Sequence, residues 1–317
     1  MLTYEKAIRS PKVFKALTGM SPRQFDSLYE DVEKLHGAAR RARLSNKSRE
    51  RGIGAGRPTA LGLKEQLIML LSYYRTYMTQ NVEGLLFGTG QATVSRTITY
   101  LEPTVRKCIP IPQKVYAEAN KARTLEDLEE IIPGLALLID ASEQGICRPS
   151  DDETQKKHYS GKAKRHTIKT QYATSASGLI LHTSAPVAGS MHDFALFKID
   201  PPTFPQNLPG GGGGSGRRRT LDIADSAYTG MDAQYPDRDS RVARKRKPGK
   251  GLTREEKEYN RALSRIRIRV EHAIRRVKVF RIMGDRYRNP RRKYAIIRDI
   301  VCGLANMKLL DGSLNAT

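Results

Sequence analysis

The sequence predicts an α/β protein in which an all-α region precedes a mixed sheet with flanking helices. Apolar residues recur at helical spacing through residues 1–102, whereas from Leu135 onward they form the short runs and alternations typical of strands. Beyond the last predicted strand, residues 263–280 return to a helical period and form a stripe that must pack on other elements. The residues of that stripe are Ile266, Val270, Ala273, Ile274 and Val277.

The charge of the chain points to a polyanionic partner. The formal net charge is +23 and the isoelectric point is about 10.0. Residues 241–300 hold 22 basic residues against 6 acidic ones, and residues 1–120 hold 19 against 10. Two basic regions around a nearly neutral centre predict two separate contacts with nucleic acid. Excess charge is equally typical of RNA-binding and ribosome-associated proteins, so it does not identify the nucleic acid.

The composition argues against several other classes of protein. Three widely spaced cysteines, in no C-x-x-C pair, predict neither a disulfide framework nor a zinc site and favour a reducing compartment. No apolar run approaches the ~20 residues that span a membrane, and no secretory signal opens the chain. We therefore expect no membrane partner and a location in the cytoplasm, at the bacterial nucleoid, or in the nucleus if the host is eukaryotic.

Residues 1–50 are predicted to be helical, with Ser21 and Pro22 as the cap and first residue of one helix. Residues 40–51 then hold five arginines and one lysine, and three glycines and Pro58 follow. This composition predicts a flexible basic arm that lies along a DNA backbone or in a minor groove. A solvated linker has the same composition.

Residues 61–102 resemble a helix-turn-helix. We predict helices over residues 63–77, 80–87 and 91–101, with a tight turn at residues 88–90. The third helix buries its apolar side and turns outward the polar residues Gln91, Thr93, Arg96 and Thr99. Short hydrogen-bonding side chains at the start of a helix suit entry into a major groove. A generic helical hairpin with a polar outer face gives a similar pattern.

The elements that follow alternate in kind. Residues 103–120 contain three prolines and are predicted to be a linker, and residues 123–132 an acidic helix. Strands are predicted at residues 135–139, 166–174, 179–185, 220–224 and 241–244. Helices are predicted at residues 191–199 and 295–310, and Thr253 is predicted to cap the helical region that contains Glu271. Five consecutive glycines, residues 210–214, predict flexible coil, and the sequence does not decide whether this run is natural.

Three acidic residues occupy comparable places in this layout. Asp140 leaves the first strand, Asp225 leaves a later strand, and Glu271 lies on the helix after the last strand. If those strands are neighbours and the helix packs on them, the carboxylates converge. Carboxylate ligands suit Mg²⁺, and two such ions activate a hydroxyl and stabilise the leaving oxygen of a phosphodiester. The flanking cations Arg267, Arg275 and Lys278 would hold the DNA; a surface Glu with ordinary helical ion pairs is the alternative for Glu271.

Five blocks of sequence resemble the DDE transposases of bacterial insertion sequences, in the branch related to the PIF/Harbinger elements. They are LLIDASEQ at residues 137–144, HYSGKAKRHTIKTQ at 158–171, APVAGSMHD at 185–193, DIADSAYTG at 222–230 and LTREEKEYNRALSRIRIRVEHAIRRVKVF at 252–280. The blocks occur in the expected order, and the predicted helix-turn-helix is similar to the N-terminal region of that branch.

The resemblance implies a ribonuclease H-like catalytic core in which Asp140, Asp225 and Glu271 bind two Mg²⁺ ions, with Mn²⁺ as a substitute. Asp222 competes for the second place. The family pattern favours Asp225, because its acid directly precedes the small-residue and Tyr segment, here residues 225–228. Strand alternation agrees with this choice.

Other polar residues have weaker claims. His192 and Asp193 match a family block but also suit a helix cap, and Glu143 is expected to fix a loop. A basic hairpin edge is expected to face DNA, unless it is only solvated; its residues are Tyr159, Lys162, Lys164, Arg165 and Lys169. The basic loop at residues 245–250, which includes Lys245, Arg246 and Lys247, is expected to contact any DNA sequence.

These features predict a helical region and basic arm at residues 1–58, a helix-turn-helix domain with linker at 59–120, and a DDE catalytic domain at 121–317. The implied function is a DNA transposase that binds the terminal inverted repeats, cleaves the element ends and joins their 3′-hydroxyls to target DNA. A homodimer or higher oligomer is expected in the synaptic complex. The alternatives are a catalytically silent DNA-binding regulator, a basic RNA-binding protein and a nuclease that cuts without joining.

Overall fold

The computed structural model describes residues 1–45, 59–122, 125–202, 221–236, 238–246 and 249–314. The chain divides into two compact units, which are described separately. Unit 1 comprises Met1–Ile109, Lys278–Asp285 and Ile296–Leu304. Unit 2 comprises Pro110–Val277, Arg286–Ala295 and Ala305–Thr317. Within the described ranges, no helix is long and apolar enough to cross a membrane.

Unit 1 is helical, as the sequence predicts. Its N-terminal helices are α1 (Tyr4–Ile8), α2 (Pro11–Thr18), α3 (Pro22–Ser45), α4 (Leu63–Thr76), α5 (Gln80–Phe87) and α6 (Gln91–Cys108). The predicted start of α3 is confirmed, because Ser21 Oγ accepts the backbone N–H of Gln24 while Gln24 Oε1 accepts that of Ser21. Helix α3 buries Phe25, Leu28 and Val32.

The predicted helix-turn-helix is confirmed in α4, α5 and α6. Gly88 adopts the left-handed conformation that ends α5, with φ 63°, and its N–H bonds back to the carbonyl of Leu85. The prediction of a linker at residues 103–120 is wrong. Helix α6 continues through Pro103, with Leu101 and Val105 buried on the same face one turn apart, and residues 112–119 form a further helix.

The prediction of a flexible arm is wrong at its beginning. Arg40, Arg41 and Arg43 belong to the last turns of α3, where alanines and arginines are good helix formers. The remainder of the predicted arm, residues 46–58, lies outside the described residues. The same holds for the glycine run at 210–214 and for Lys247.

The described part of unit 2 contains a mixed seven-stranded sheet. Its helices are α7 (Pro112–Ala119), α8 (Leu125–Ile131), α9 (Asp152–His158), α10 (Asp193–Ile199), α11 (Met231–Gln234) and α12 (Arg254–Lys278), whose last residue belongs to unit 1. The strands are β1 (Ala136–Gly145), β2 (Tyr159–Ser160), β3 (Arg165–Ser175), β4 (Ile180–Thr183), β5 (Val187–Ala188), β6 (Leu221–Ala224) and β7 (Asp239–Val242). Two helices follow: α13 (Arg281–Gly284) in unit 1, and α14 (Tyr294–Leu314), which has residues in both units.

The strand order is β2-β3-β1-β6-β7, with β4 and β5 also paired to β3. Strands β1, β3 and β4 are antiparallel neighbours, whereas β6 and β7 run parallel to β1. The predicted hairpin is therefore confirmed as β3 and β4. One side of the sheet is covered by a cluster that includes Leu137, Ile139, Phe197 and Tyr228. The mixed sheet with flanking helices is as predicted.

Two local predictions are wrong. Strand β1 does not end at Asp140 but continues to Gly145, because antiparallel pairing with β3 extends from Leu137 to Gly145. Asp140 therefore lies in the middle of a strand. On α12 the buried stripe begins with Leu263, whereas Ile266 is 42% exposed. The predicted start of α12 is confirmed, since Thr253 Oγ1 accepts the N–H of Glu256 at 3.1 Å.

Candidate active site

Asp140 and Asp225 stand side by side on neighbouring parallel strands. The register pairs Ala136 with Leu221 and Leu138 with Ile223. The same offset, continued by two residues, sets Asp140 level with Asp225, which follows directly after β6. Neighbouring strands lie about 4.8 Å apart, and side chains at equal register in a parallel pair share one face. We call these two residues the acid pair.

The surroundings of the acid pair disfavour the charged form of Asp140. The pKa of Asp140 is raised from 3.8 to about 6, chiefly by burial and further by the nearby carboxylates of Asp225 and Asp193. The positive charge of Arg267 acts in the opposite direction. A carboxyl in this environment is stabilised in its charged form by an added cation, so the surroundings of Asp140 favour cation binding.

Backbone amides orient both carboxylates. Oδ1 of Asp140 accepts the N–H of Ala141 at 2.8 Å, and Oδ1 of Asp225 accepts the N–H of Ala227 at 2.8 Å. The second bond caps the short 3₁₀ turn Ser226–Tyr228. Tyr228 is fully buried, and its hydroxyl donates to Oε1 of Gln171 on β3 at 3.2 Å. The turn Ser226–Tyr228 therefore holds Asp225 in position, because its Tyr228 is packed in the core and bonded to β3.

A buried lysine links two further carboxylates beside the acid pair. Lys169 on β3 is only 7% exposed, and its Nζ lies 2.7 Å from Oδ1 of Asp193 and 3.5 Å from Oε1 of Glu143. Thr167 also donates to Oε2 of Glu143 at 2.8 Å. The expectation that Lys169 faces DNA is wrong, because its side chain is buried and its ammonium group is paired with these two carboxylates. Glu143 lies on β1 instead of in a loop.

Arg267 is the residue of α12 that faces the acid pair. Its charge acts on Asp140 and on Tyr228, and its Nε is buried with no hydrogen-bond partner in the described part of the chain. Glu271 follows one turn later on α12 and is exposed. In the described ranges, no three His, Cys, Asp or Glu side chains lie close enough together to hold one metal ion. The charges of Asp225 and Asp193 act on Asp140, but the described side chains do not gather all three predicted acids around one point.

Asp222, the competitor of Asp225, is fully buried and forms an ion pair with Arg238. Arg238 also donates from Nη1 to the carbonyl of Pro202 at 2.9 Å. Because Asp222 is inaccessible to solvent and its carboxylate is paired with Arg238, its role in the fold is structural. Asp225 is partly exposed at the strand end.

The residues predicted to bind DNA fall into three groups. In unit 1, Gln91 and Arg96 are exposed on α6, Thr93 is partly buried, and Gln91 donates to Oε1 of Gln80 at 2.7 Å. In unit 2, the turn after β2 exposes Lys162, Lys164 and Arg165, and the loop after β7 exposes Lys245 and Arg246. Arg275 and Lys278 are exposed on α12, and Lys278 belongs to unit 1.

The Lys169–Asp193 ion pair has only a weak signal in the sequence, and the influence of Asp193 on Asp140 has none. Asp193 lies in the APVAGSMHD block, where a helix cap was the favoured explanation. His192 does occupy the cap position of α10, without a side-chain capping bond.

Comparison with known proteins identifies the family of this site. The family described as "DDE superfamily endonuclease" matches residues 139–306, and "Helix-turn-helix of DDE superfamily endonuclease" matches residues 59–111. The first match spans more than half of the chain. The chain belongs to the DDE superfamily endonucleases.

Two curated relatives extend over nearly the whole chain. A "Probable transposase for insertion sequence element IS702" from Microchaete diplosiphon is 30% identical over 305 residues, 93% of this chain and 94% of the relative. A "Putative transposase for insertion sequence element IS112" from Streptomyces albus G is 25% identical over 279 residues, 87% of each chain. No solved structure matches this chain significantly.

These findings confirm the resemblance to transposases of bacterial insertion sequences and the helix-turn-helix that binds DNA. The chain is a DNA transposase of the DDE superfamily endonucleases, a group that uses divalent metal ions. The acid pair lies within the matched endonuclease region.

Proposed function

We propose that this chain cleaves phosphodiesters at the ends of its insertion sequence and joins the resulting 3′-hydroxyls to target DNA, using divalent metal held by Asp140, Asp225 and Glu271. The observation that supports this proposal best is the acid pair: one carboxylate lies on β1, the other directly follows the neighbouring parallel strand β6, and the charge of Asp225 acts on Asp140. Each also accepts a backbone N–H that orients it.

The chemistry of the donor set fits Mg²⁺, with Mn²⁺ as a substitute. Carboxylate oxygens are the ligands that these hard cations prefer. Burial, followed by the neighbouring acids, raises the pKa of Asp140 to about 6, so a bound cation would stabilise its charged form. Glu271 is the proposed third ligand, because it lies one helical turn after Arg267, about 6 Å along the same side of α12. Two bound ions would polarise the phosphodiester and stabilise both the attacking and the leaving oxygen.

The reaction is in-line displacement at phosphorus. Water attacks the scissile phosphate, the bond from phosphorus to the 3′-oxygen breaks, and the element end keeps a 3′-hydroxyl. That hydroxyl then attacks a phosphodiester of target DNA and displaces a 3′-oxygen there. Arg267 would hold a phosphate oxygen beside the acid pair, because its positive charge acts on Asp140. No covalent enzyme intermediate is required.

The proposal also covers the fold of the catalytic core, the domain boundaries and the oligomeric state. The antiparallel strands β4, β3 and β1, followed by the parallel strands β6 and β7, support a ribonuclease H-like core. Residues 121–317 would form the catalytic domain, and residues 59–120 would bind the terminal inverted repeats. Joining two ends in one complex requires at least a dimer, which acts at the nucleoid where its DNA lies.

A plasmid cleavage assay tests this function. The substrate is a supercoiled plasmid carrying the DNA that flanks the coding region on both sides, and the full chain is added with Mg²⁺, Mn²⁺ or a chelator. We expect metal-dependent cuts at the element ends, with 3′-hydroxyls that a polymerase extends, and joined products when target DNA is added. Binding of the ends without cleavage by well-folded protein would support a silent regulator. Cleavage without joining would indicate a nuclease, and preference for RNA would indicate an RNA-binding protein.

A further inference from the structure

Helix α3 extends well beyond the part of it that packs in the core. Its 24 residues span about 36 Å, yet its buried apolar residues, Phe25, Leu28 and Val32, all lie in the first half. The second half carries Arg40, Arg41 and Arg43. It runs beside α6, because the guanidinium of Arg43 lies 3.8 Å from the ring centroid of Tyr100. The basic end of α3 thus accompanies the third helix of the helix-turn-helix.

A cleft of about 570 Å³ is lined mainly by these two helices, together with residues 59–61, Gln66 and Thr89. Helix α3 contributes His36, Arg40 and Arg43 to its lining, and α6 contributes Thr93, Arg96 and Tyr100. We call this feature the arginine cleft. No Asp or Glu is found among the described residues that line it. Three guanidinium groups therefore share one concave surface without a lining carboxylate.

The positive charges of the arginine cleft act on His36, which lines it. Its pKa is lowered from 6.5, first by burial and then by the charges of Arg40 and Arg43. Both cations thus act on a ring inside the cleft. Bringing a polyanion into the cleft would relieve this repulsion, because the charged groups that face His36 are positive.

We propose that the arginine cleft holds one strand of duplex DNA by its phosphates, with α3 as a second wall beside the recognition helix α6. This inference rests on the proposed function only in taking DNA as the substrate. Arg40 and Arg43 lie three residues apart on one side of α3 and bind phosphate groups. Arg96 and Thr93 face them from α6 and contact the same strand. Phosphate contacts of this kind set the orientation of a DNA-binding domain without reading sequence.

A DNA strand suits the arginine cleft better than a free anion does. A single phosphate ion is satisfied by one or two guanidinium groups, whereas here the cations are distributed along both walls. Tyr100 adds a ring that is 48% exposed and that a sugar can contact. The third helix of a helix-turn-helix is also the element that enters the major groove, so a flanking backbone strand passes close to it.

A pair of adjacent arginines supplies a matched test. Arg40 lines the arginine cleft, whereas Arg41, its neighbour on the same exposed stretch of α3, does not. Binding of the full chain to a 20-base-pair duplex of mixed sequence is measured by fluorescence anisotropy over a series of salt concentrations. We expect Arg40→Gln to weaken binding about 5- to 10-fold and to reduce the salt slope by about 0.9, the amount for one lost phosphate contact. Arg41→Gln should change affinity by less than about twofold.

The titration of His36 gives an independent measurement on the full chain. NMR should show its pKa rising when the duplex binds, and 10 mM inorganic phosphate should leave it nearly unchanged. Equal losses for Arg40→Gln and Arg41→Gln would overturn the proposal, as would an equal response of His36 to phosphate or tighter binding of an RNA duplex. These results do not depend on cleavage. Loss of catalysis with an intact Arg40 effect would therefore contradict the proposed function alone.

Discussion

The acid pair and the arginine cleft concentrate charge of opposite sign by different structural means. In unit 2, strand register forces two carboxylates level with each other, and backbone amides fix their orientation. In unit 1, two helices set arginines on facing walls, and one of them, Arg43, packs on the ring of Tyr100. The difference suits the partners that we propose. A metal ion needs ligands fixed to fractions of an ångström, whereas a DNA backbone tolerates mobile side chains.

The largest expected effect tests the acid pair itself. Asp140→Asn should reduce cleavage of the plasmid ends at least about 10³-fold, about 4 kcal/mol of transition-state stabilisation, because one carboxylate ligand is lost. Binding to the same DNA, measured by anisotropy, should change less than about twofold, since the helix-turn-helix is untouched.

Asp232→Asn is the matched control, because Asp232 is an exposed acid in the first turn of α11. It should cleave at the wild-type rate. Cleavage that survives in Asp140→Asn would remove the acid pair from the mechanism.

Asp222 is a buried acid that we expect to serve stability, in contrast to Asp140, which we expect to serve catalysis. Asp222→Asn leaves the guanidinium of Arg238 buried without its counter-charge, so we expect a loss of about 3–5 kcal/mol in the free energy of unfolding. Urea denaturation followed by circular dichroism measures it. The exposed ion pair of Asp239 and Arg241 is the control, and Asp239→Asn should cost less than about 1 kcal/mol. Similar costs for both variants would show that Asp222 is not a structural acid.

Glu83 extends the comparison to a buried acid of unit 1. It is fully buried, receives a hydrogen bond from Ser72 at 3.0 Å, and has a pKa raised by burial from 4.5 to about 7. Because the folded state binds this proton more tightly than the unfolded state, the stabilisation is complete below pH 4.5 and is lost as the pH rises to about 7.

Glu83→Gln removes this dependence. At pH 8 the variant should be more stable than the wild type by roughly 2–3 kcal/mol, and at pH 4.5 the difference should vanish. Thermal unfolding at the two pH values checks this, with exposed Glu5→Gln as the control. A pH-independent difference would mean that Glu83 does not titrate as its burial predicts.

The smallest expected effects are reciprocal pKa changes in the two charged regions. Asp225→Asn should lower the pKa of Asp140, because Asp225 now raises it, and Arg40→Gln should raise the pKa of His36, because Arg40 now lowers it. Each change should be about one unit or less, and NMR titration measures both. A shift in either wrong direction would contradict the charge arrangement described for that region.

Much of this arrangement follows from local sequence patterns. The strand ending near Asp225, the cap of α12 at Thr253 and the three helices of the helix-turn-helix are set by nearby residues, and each was predicted correctly. The burial of Lys169 was not predictable in this way. It depends on the neighbours that β3 acquires in the sheet, and a basic strand edge exposed to solvent has the same sequence.

The arginine cleft also depends on packing that local sequence does not reveal. Residues 40–51 look like a flexible arm because they are basic and precede glycines, yet Ala and Arg are also good helix formers. Only the packing of α3 beside α6 decides between these interpretations for Arg40 and Arg43. The role of Glu271 also depends on long-range geometry, namely how the side chains of α12 approach the acid pair.

The central claim, that the acid pair holds a divalent metal, is tested most directly by Mn²⁺ binding to the full chain, measured by electron paramagnetic resonance. The account predicts that the wild type and Asp232→Asn bind Mn²⁺ with the same affinity. Asp140→Asn and Asp225→Asn should each bind at least about tenfold more weakly. Equal Mn²⁺ affinity in all four proteins would contradict the account, because the carboxylates at equal register on β1 and after β6 would then not be metal ligands.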